Sequence, residues 1–150
     1  LYFIKLTHND SSRYSKIYNN SASEKNEEDE MPWIYDQRSG RITGPRGEEY
    51  HGYSGQPPHR NQPTSENIAN EGPIPRGTWR IDPELRNSTQ TGPMILLLNP
   101  VGHTAHGRRF FQIHGDSVRR PGLASTGCIV LPRDARTAIS TSGDTTLIVR

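Results

Sequence analysis

From Trp33 onward, apolar residues fall in short runs separated by Gly, Pro and polar positions, the pattern of strands joined by turns. Trp33–Asp36 and Arg41–Thr43 flank a Gln-Arg-Ser-Gly turn and predict a hairpin. Tyr50–Gly55 leads into a polar, Pro-rich loop that runs to about Gly72. Gly72-Pro73-Ile74-Pro75-Arg76-Gly77 reads as a rigid turn, because each proline fixes φ while the glycines absorb unusual dihedrals. Gly77–Ile81, Met94–Asn99 and Phe110–His114 read as strands, the second apolar enough to be central. A loop over 115–126 precedes the β-branched run Cys128–Leu131, and Thr145–Val149 predicts a last strand. Pro132 followed by Arg-Asp-Ala-Arg-Thr-Ala-Ile predicts a short helix, with Pro in its first turn and Asp134 near its positive end. The expected class is mainly β, with one or two short helices.

Composition sharpens this picture. The 150 residues suit one domain, and 14 glycines with 12 prolines mark a turn-rich chain rather than a helical bundle. No apolar run approaches the ~18 residues of a membrane-spanning helix. The net charge of +2 is too small to argue for a nucleic-acid partner. Its distribution is uneven: residues 1–30 carry four basic residues and six acids, residues 31–150 fourteen arginines, no lysine and ten acids. Residues 1–30, rich in Asn and Ser and ending in Glu-Lys-Asn-Glu-Glu-Asp-Glu, are expected to be disordered or appended. They are either joined ahead of a natural start at Met31 or are a natural acidic linker, and they carry no visible signal peptide. Residues 31–150 are the expected folded domain.

The single cysteine, Cys128, excludes an internal disulfide. It lies in Ser125-Thr126-Gly127-Cys128-Ile129, between a turn and an apolar strand, and His114 stands fourteen residues upstream at the end of another expected strand. A thiol needs a base or a cation beside it to become a nucleophile near neutral pH, and imidazole is the usual one. Taken by spacing alone, Cys128 is either such a nucleophile or a small buried hydrophobe.

Ile113-His114-Gly115, Ser125-Thr126-Gly127-Cys128-Ile129 and the following Asp134-Ala135 resemble the signature of L,D-transpeptidases, the YkuD-type cysteine enzymes of peptidoglycan. Gly52-Tyr53-Ser54-Gly55, Asn61, the segment Gly72–Gly77 and His114-Gly115-Asp116-Ser117 resemble more closely the type VI secretion L,D-transpeptidase effectors. The resemblance implies an L,D-transpeptidase-like β-sandwich or barrel. It implies Cys128 as nucleophile, His114 as base, the Gly115 carbonyl orienting the imidazole, and the Gly127 and Cys128 amides as oxyanion hole. Tyr53, Ser54, Asp116, Ser117, Ser125 and Thr126 are the implied substrate-binding residues. Two positions depart from the motif: Thr126 replaces its usual histidine, and Val130 its usual arginine. The lost arginine leaves Arg119, Arg120 and Arg133 as candidates for contacts to substrate carboxylates.

The activity so implied is L,D-carboxypeptidase action or D-amino acid exchange on tetrapeptide stems, without metal or organic cofactor. The implied partners are peptidoglycan stems, free D-amino acids, a cognate immunity protein and a secretion-machine component. The implied setting is the periplasm of a target bacterium, reached from the producer's cytoplasm. Two other readings stand beside it. A non-catalytic peptidoglycan-binding module would keep the fold, and a zinc peptidase would use His103-x-x-His106 with His114 or Cys128. Arg108, Arg109, Arg119 and Arg120 are either attractors of anionic substrate or solvated surface.

Overall fold

The computed structural model describes residues 31–150; the readings made for residues 1–30 lie outside the described residues. Alternation along the short apolar runs places Trp33 and Tyr35 inward on β1 (Trp33–Tyr35), Ile42 inward on β2 (Arg41–Thr43), and Trp79 and Ile81 inward on β5 (Gly77–Ile81). The other strands are β3 (Glu49–His51), β4 (Tyr53–Ser54), β6 (Arg86–Ser88), β7 (Gly92–Val101), β8 (Gln112–His114), β9 (Ile129–Val130) and β10 (Thr146–Val149). Helix α1 (Arg133–Thr141) and two 3-10 turns, Pro63–Ser65 and Ala105–Gly107, complete a mainly β molecule.

Ten strands form one mixed sheet in the order β3-β2-β1-β10-β5-β7-β8-β9-β4, with β6 paired to β7. β1 runs parallel to β10 and β8 parallel to β9, while the other pairs are antiparallel. The two ends of this order, β3 and β4, are separated in the chain by Gly52 alone. A flat sheet would hold them roughly 40 Å apart, so the sheet must curl until its edges meet. The link passes close to β9: a Cβ on Gly52 would run into the carbonyl oxygen of Val130.

The curled sheet encloses Trp33, Tyr35, Ile42, Trp79, Leu96, Ile113, Ile129 and Leu147, each buried. Helix α1 adds Ala135 and Ile139, one turn apart on its inner face. Pro132 stands just ahead of it and Asp134 in its first turn, as the expected helix requires.

Strand limits differ from expectation around the functional loops. Phe110 lies outside β8, with φ of +65° and its ring 88% exposed, because the chain turns there before entering the ladder at Gln112. Cys128 likewise precedes β9, leaving its side chain at a strand mouth. β6 was not expected; Arg-Asn-Ser carries no apolar alternation, and it is held by backbone pairing to β7.

Candidate active site

β8 and β9 are parallel neighbours, with Ile113 opposite Ile129 and His114 opposite Val130. A parallel pair needs a crossover, and residues 115–128 supply it. Asp116 organises this loop: its carboxylate accepts from the backbone N–H of Ser117 (2.8 Å) and Gly122 (3.0 Å) and from the Tyr53 hydroxyl (2.6 Å). Tyr53 Oη in turn accepts from Ala124 N–H at 2.9 Å, and Ser117 Oγ accepts from Arg120 N–H at 3.0 Å. Tyr53, Asp116 and Ser117 therefore brace the crossover. Burial, together with the hydrogen bond to Asp116, pushes the Tyr53 phenol up to about 12.

His114 is buried at the end of β8. Its Nδ1 lies 2.8 Å from the Gly115 carbonyl oxygen. A carbonyl only accepts, so Nδ1 carries the proton and Nε2 keeps its lone pair. Burial pulls the imidazole below its ordinary value, and the Arg136 cation adds to that, against the bond to Gly115. The ring is thus a neutral base at pH 7.

Cys128 is half-buried. Its thiol lies 3.6 Å from the Phe110 carbonyl oxygen. Burial pushes it up to about 11, although the Gln112 N–H and the Arg108 cation both favour the thiolate. Gln112 and His114 are two residues apart on β8, roughly 7 Å of strand, so the resting sulfur sits toward the beginning of β8 and the imidazole at its end. They open on different hollows. Cys128 lines a narrow pocket of about 80 Å³ with Thr126, Gly127, Arg108 and Phe111, whereas His114 lines a cleft of about 580 Å³ with Gly115, Asp116 and Arg136.

Two residues expected to touch substrate are structural instead. Ser54 is fully buried; its hydroxyl donates to Gly127 O (3.0 Å) and accepts from Ile74 N–H (2.8 Å). Ser125 is 1% exposed, accepts from the N–H of Gly55 (2.9 Å) and Gly127 (3.1 Å), and donates to Cys128 O. Both hydroxyls are spent pinning the turn that carries Cys128. The same contacts correct the oxyanion hole: Gly127 N–H is engaged by Ser125 Oγ and is not a free donor in this state. Of the expected substrate contacts, Thr126 is exposed beside the thiol.

Arg136 lies outside the expected site residues, and for Arg108 the sequence leaves open an attractor of anionic substrate or solvated surface. Arg108 Nη1 donates to the carbonyls of Glu66 (2.6 Å) and Pro73 (2.8 Å), and Nη2 to those of Gly72 (3.0 Å) and Thr126 (3.2 Å). Its guanidinium lies over Phe111 at 5.1 Å and fills the space a Cβ on Gly127 would need. Arg108 is a wall of the cysteine pocket, not solvated surface. Its partners are backbone carbonyls, which leave no trace in residue types. A faint signal was available: Gly72–Gly77 and Gly127 are turns whose inward carbonyls need a donor.

His103 and His106 do not form a metal pair. His103 Nε2 donates to Thr78 O (2.9 Å) while Nδ1 accepts from Ala105 N–H (3.2 Å), so both ring nitrogens are used. His106 faces Glu66 at 3.4 Å. Among the described residues no cluster of His, Cys, Asp or Glu is arranged to hold a metal ion, and no helix is long and apolar enough to cross a membrane.

Known families supply a further comparison. No curated protein matches the chain. The Tlde1 domain family model matches residues 48–146, roughly two thirds of the chain, a span that takes in Tyr53, Arg108, His114, Cys128 and Arg136. With that match over the strands and loops that build both hollows, the chain belongs to the Tlde1 domain family, a family of type VI secretion effectors.

Proposed function

We propose that this effector domain is a cysteine L,D-carboxypeptidase and L,D-transpeptidase acting on peptidoglycan stem peptides, with Cys128 as nucleophile and His114 as general base. The observation that carries the reading is the placement of His114 at the end of β8 and of Cys128 at the mouth of its parallel neighbour β9. The latter offers a thiol; the former offers an imidazole whose tautomer is set by the Gly115 carbonyl. With the thiol held at about 11 and the imidazole below its ordinary value, the pair is not a preformed ion pair at rest. The proton moves from Sγ to Nε2 as the sulfur attacks.

The sulfur adds to the carbonyl of the L-centre residue of the stem, and the tetrahedral oxyanion draws on the Arg108 cation beside Cys128. The C–N bond then breaks, His114 gives its proton to the departing amine, and D-alanine leaves. Water attacks the thioester as His114 takes its proton, yielding a tripeptide, or the amine of a free D-amino acid attacks in the same way to yield an exchanged tetrapeptide. The proton then passes from His114 to the expelled sulfur and restores the thiol. For this chemistry the thiol must leave the Phe110 carbonyl and come within hydrogen-bond reach of His114 Nε2. Delivery into the periplasm of a competing bacterium, and an immunity protein that covers the Cys128 pocket, fit the effector family.

The test is mass spectrometry of purified tetrapeptide muropeptides incubated with the native protein or with Cys128→Ala, with and without D-methionine. D-alanine loss or D-methionine incorporation should fall to background in the variant and persist in the presence of a chelator. Unchanged muropeptides with an alkylatable thiol would overturn the reading in favour of a binding module.

A further inference from the structure

Arg136 is buried on the inner face of α1, at 8% exposure. Its Nη1 donates to the carbonyls of Pro93 and Met94, both at 2.9 Å. Its Nε–H is buried without a partner, and Nη2 makes no hydrogen bond among the described residues. Nη2 lies 2.9 Å from where a Cβ on Gly115 would stand, against the backbone of the residue that orients His114. Among the described residues no carboxylate lies within 4 Å of this guanidinium, and the Arg133 cation acts on it unfavourably. Asp116, on the same walls, is committed to Tyr53, Ser117 and Gly122. A buried cation with unused donors and a cation beside it is costly unless an anion completes the site.

Its position says which anion. Arg136 and Asp116 line two adjoining hollows, the 580 Å³ cleft that holds His114 and one of about 380 Å³ bounded by Tyr53, Val130 and Arg133. In the proposed reaction the leaving amine takes its proton from His114, so the departing residue lies on this side of β8. In a terminal amino acid the carboxylate carbon is two bonds from that amine. Resting on the proposed function, we infer that Arg136 anchors the α-carboxylate of the terminal D-residue of the stem and, after it departs, that of the free D-amino acid that attacks the thioester. One guanidinium thereby recognises both the leaving group and its replacement. Arg119, Arg120 and Arg133 lack its combination of burial and unused donors.

The experiment compares a tetrapeptide ending in free D-alanine with the same peptide ending in D-alaninamide. The native protein should process the acid at least about tenfold more efficiently than the amide. Arg136→Met should erase that preference, the acid losing far more kcat/KM than the amide and most of that loss appearing as a raised KM. Arg136→Lys should keep part of it. D-methionine against D-methioninamide as acceptors should follow the same order. The native comparison needs no variant, so it stands even where Arg136→Met fails to fold. Equal processing of acid and amide by the native protein, or a preference that survives in a folded Arg136→Met, would overturn the anchor while leaving the proposed function in place. Absence of any Cys128-dependent D-alanine release would overturn the proposed function and the anchor with it.

Discussion

Two arginines, Arg108 and Arg136, flank the β8–β9 pair, and the difference between them separates architecture from recognition. Arg108 reaches four backbone carbonyls and lies over Phe111, so its hydrogen-bonding capacity is turned inward and its pocket is narrow. Arg136 reaches two carbonyls, leaves Nε unpartnered, and borders far larger hollows. Both are guanidiniums held by main-chain oxygen, and neither is opposed by a carboxylate on its own element. A saturated fork cements turns; a half-used one waits for a ligand.

The contrast can be broken in order of expected effect. Arg108→Met strips four carbonyls of their donor and is expected to cost about 3 kcal/mol or more, with activity falling alongside. Arg136→Met, which strips two, should cost about half as much stability. Thermal or urea unfolding of the pair checks this, and equal losses would erase the distinction. The cysteine side can be sharpened next. With the thiol at about 11, iodoacetamide labelling of Cys128 should climb roughly tenfold per pH unit from 7 to 9 without levelling. A plateau near pH 6 would instead reveal a preformed thiolate–imidazolium pair.

The smallest effect lies behind Arg108. Burial alone would raise the Glu66 carboxyl, but hydrogen bonds from Arg76, Gln37 and His106 outweigh it and hold it at about 2. A carboxyl depressed in the folded state stabilises fully above its unfolded value, near 4.3, and loses that contribution as pH falls toward 2. Glu66→Gln should therefore cost about 1–2 kcal/mol at neutral pH and flatten the acid limb of the stability curve. An unchanged acid limb would detach Glu66 from the support of Arg108.

What could be read beforehand divides along similar lines. β5 runs from Gly77 to Ile81 as expected, the hairpin of β1 and β2 surrounds Gln37–Gly40, and α1 follows Pro132, because periodicity and turn chemistry are written in residue types. Cys128 and His114 were named together only through motifs that resemble a known family, since by spacing alone the cysteine is equally a small buried hydrophobe. Ser54 and Ser125 were misread for an equally physical reason: a hydroxyl in a Gly-bearing motif looks the same whether it meets a ligand or pins a loop, and burial decides. Arg136 passed unnoticed and Arg108 stayed undecided because their partners are carbonyls, which every residue has. β6 was missed because backbone pairing alone can hold a strand without apolar alternation.

The parallel pairing of β1 with β10 sets a condition on when such a domain can exist at all. Trp33 lies opposite Leu147 and Tyr35 opposite Val149, and β10 also stands between β1 and β5. Sheets that depend on partners so distant along the chain pay the loop-closure entropy before gaining the contacts, which places their folding at the slow end for small domains. While the ribosome has yet to add residues 146–149, β1 and β5 have no strand between them, and the curled sheet that carries Cys128 and His114 cannot close. The candidate site on such a sheet is assembled only once β10 stands between β1 and β5.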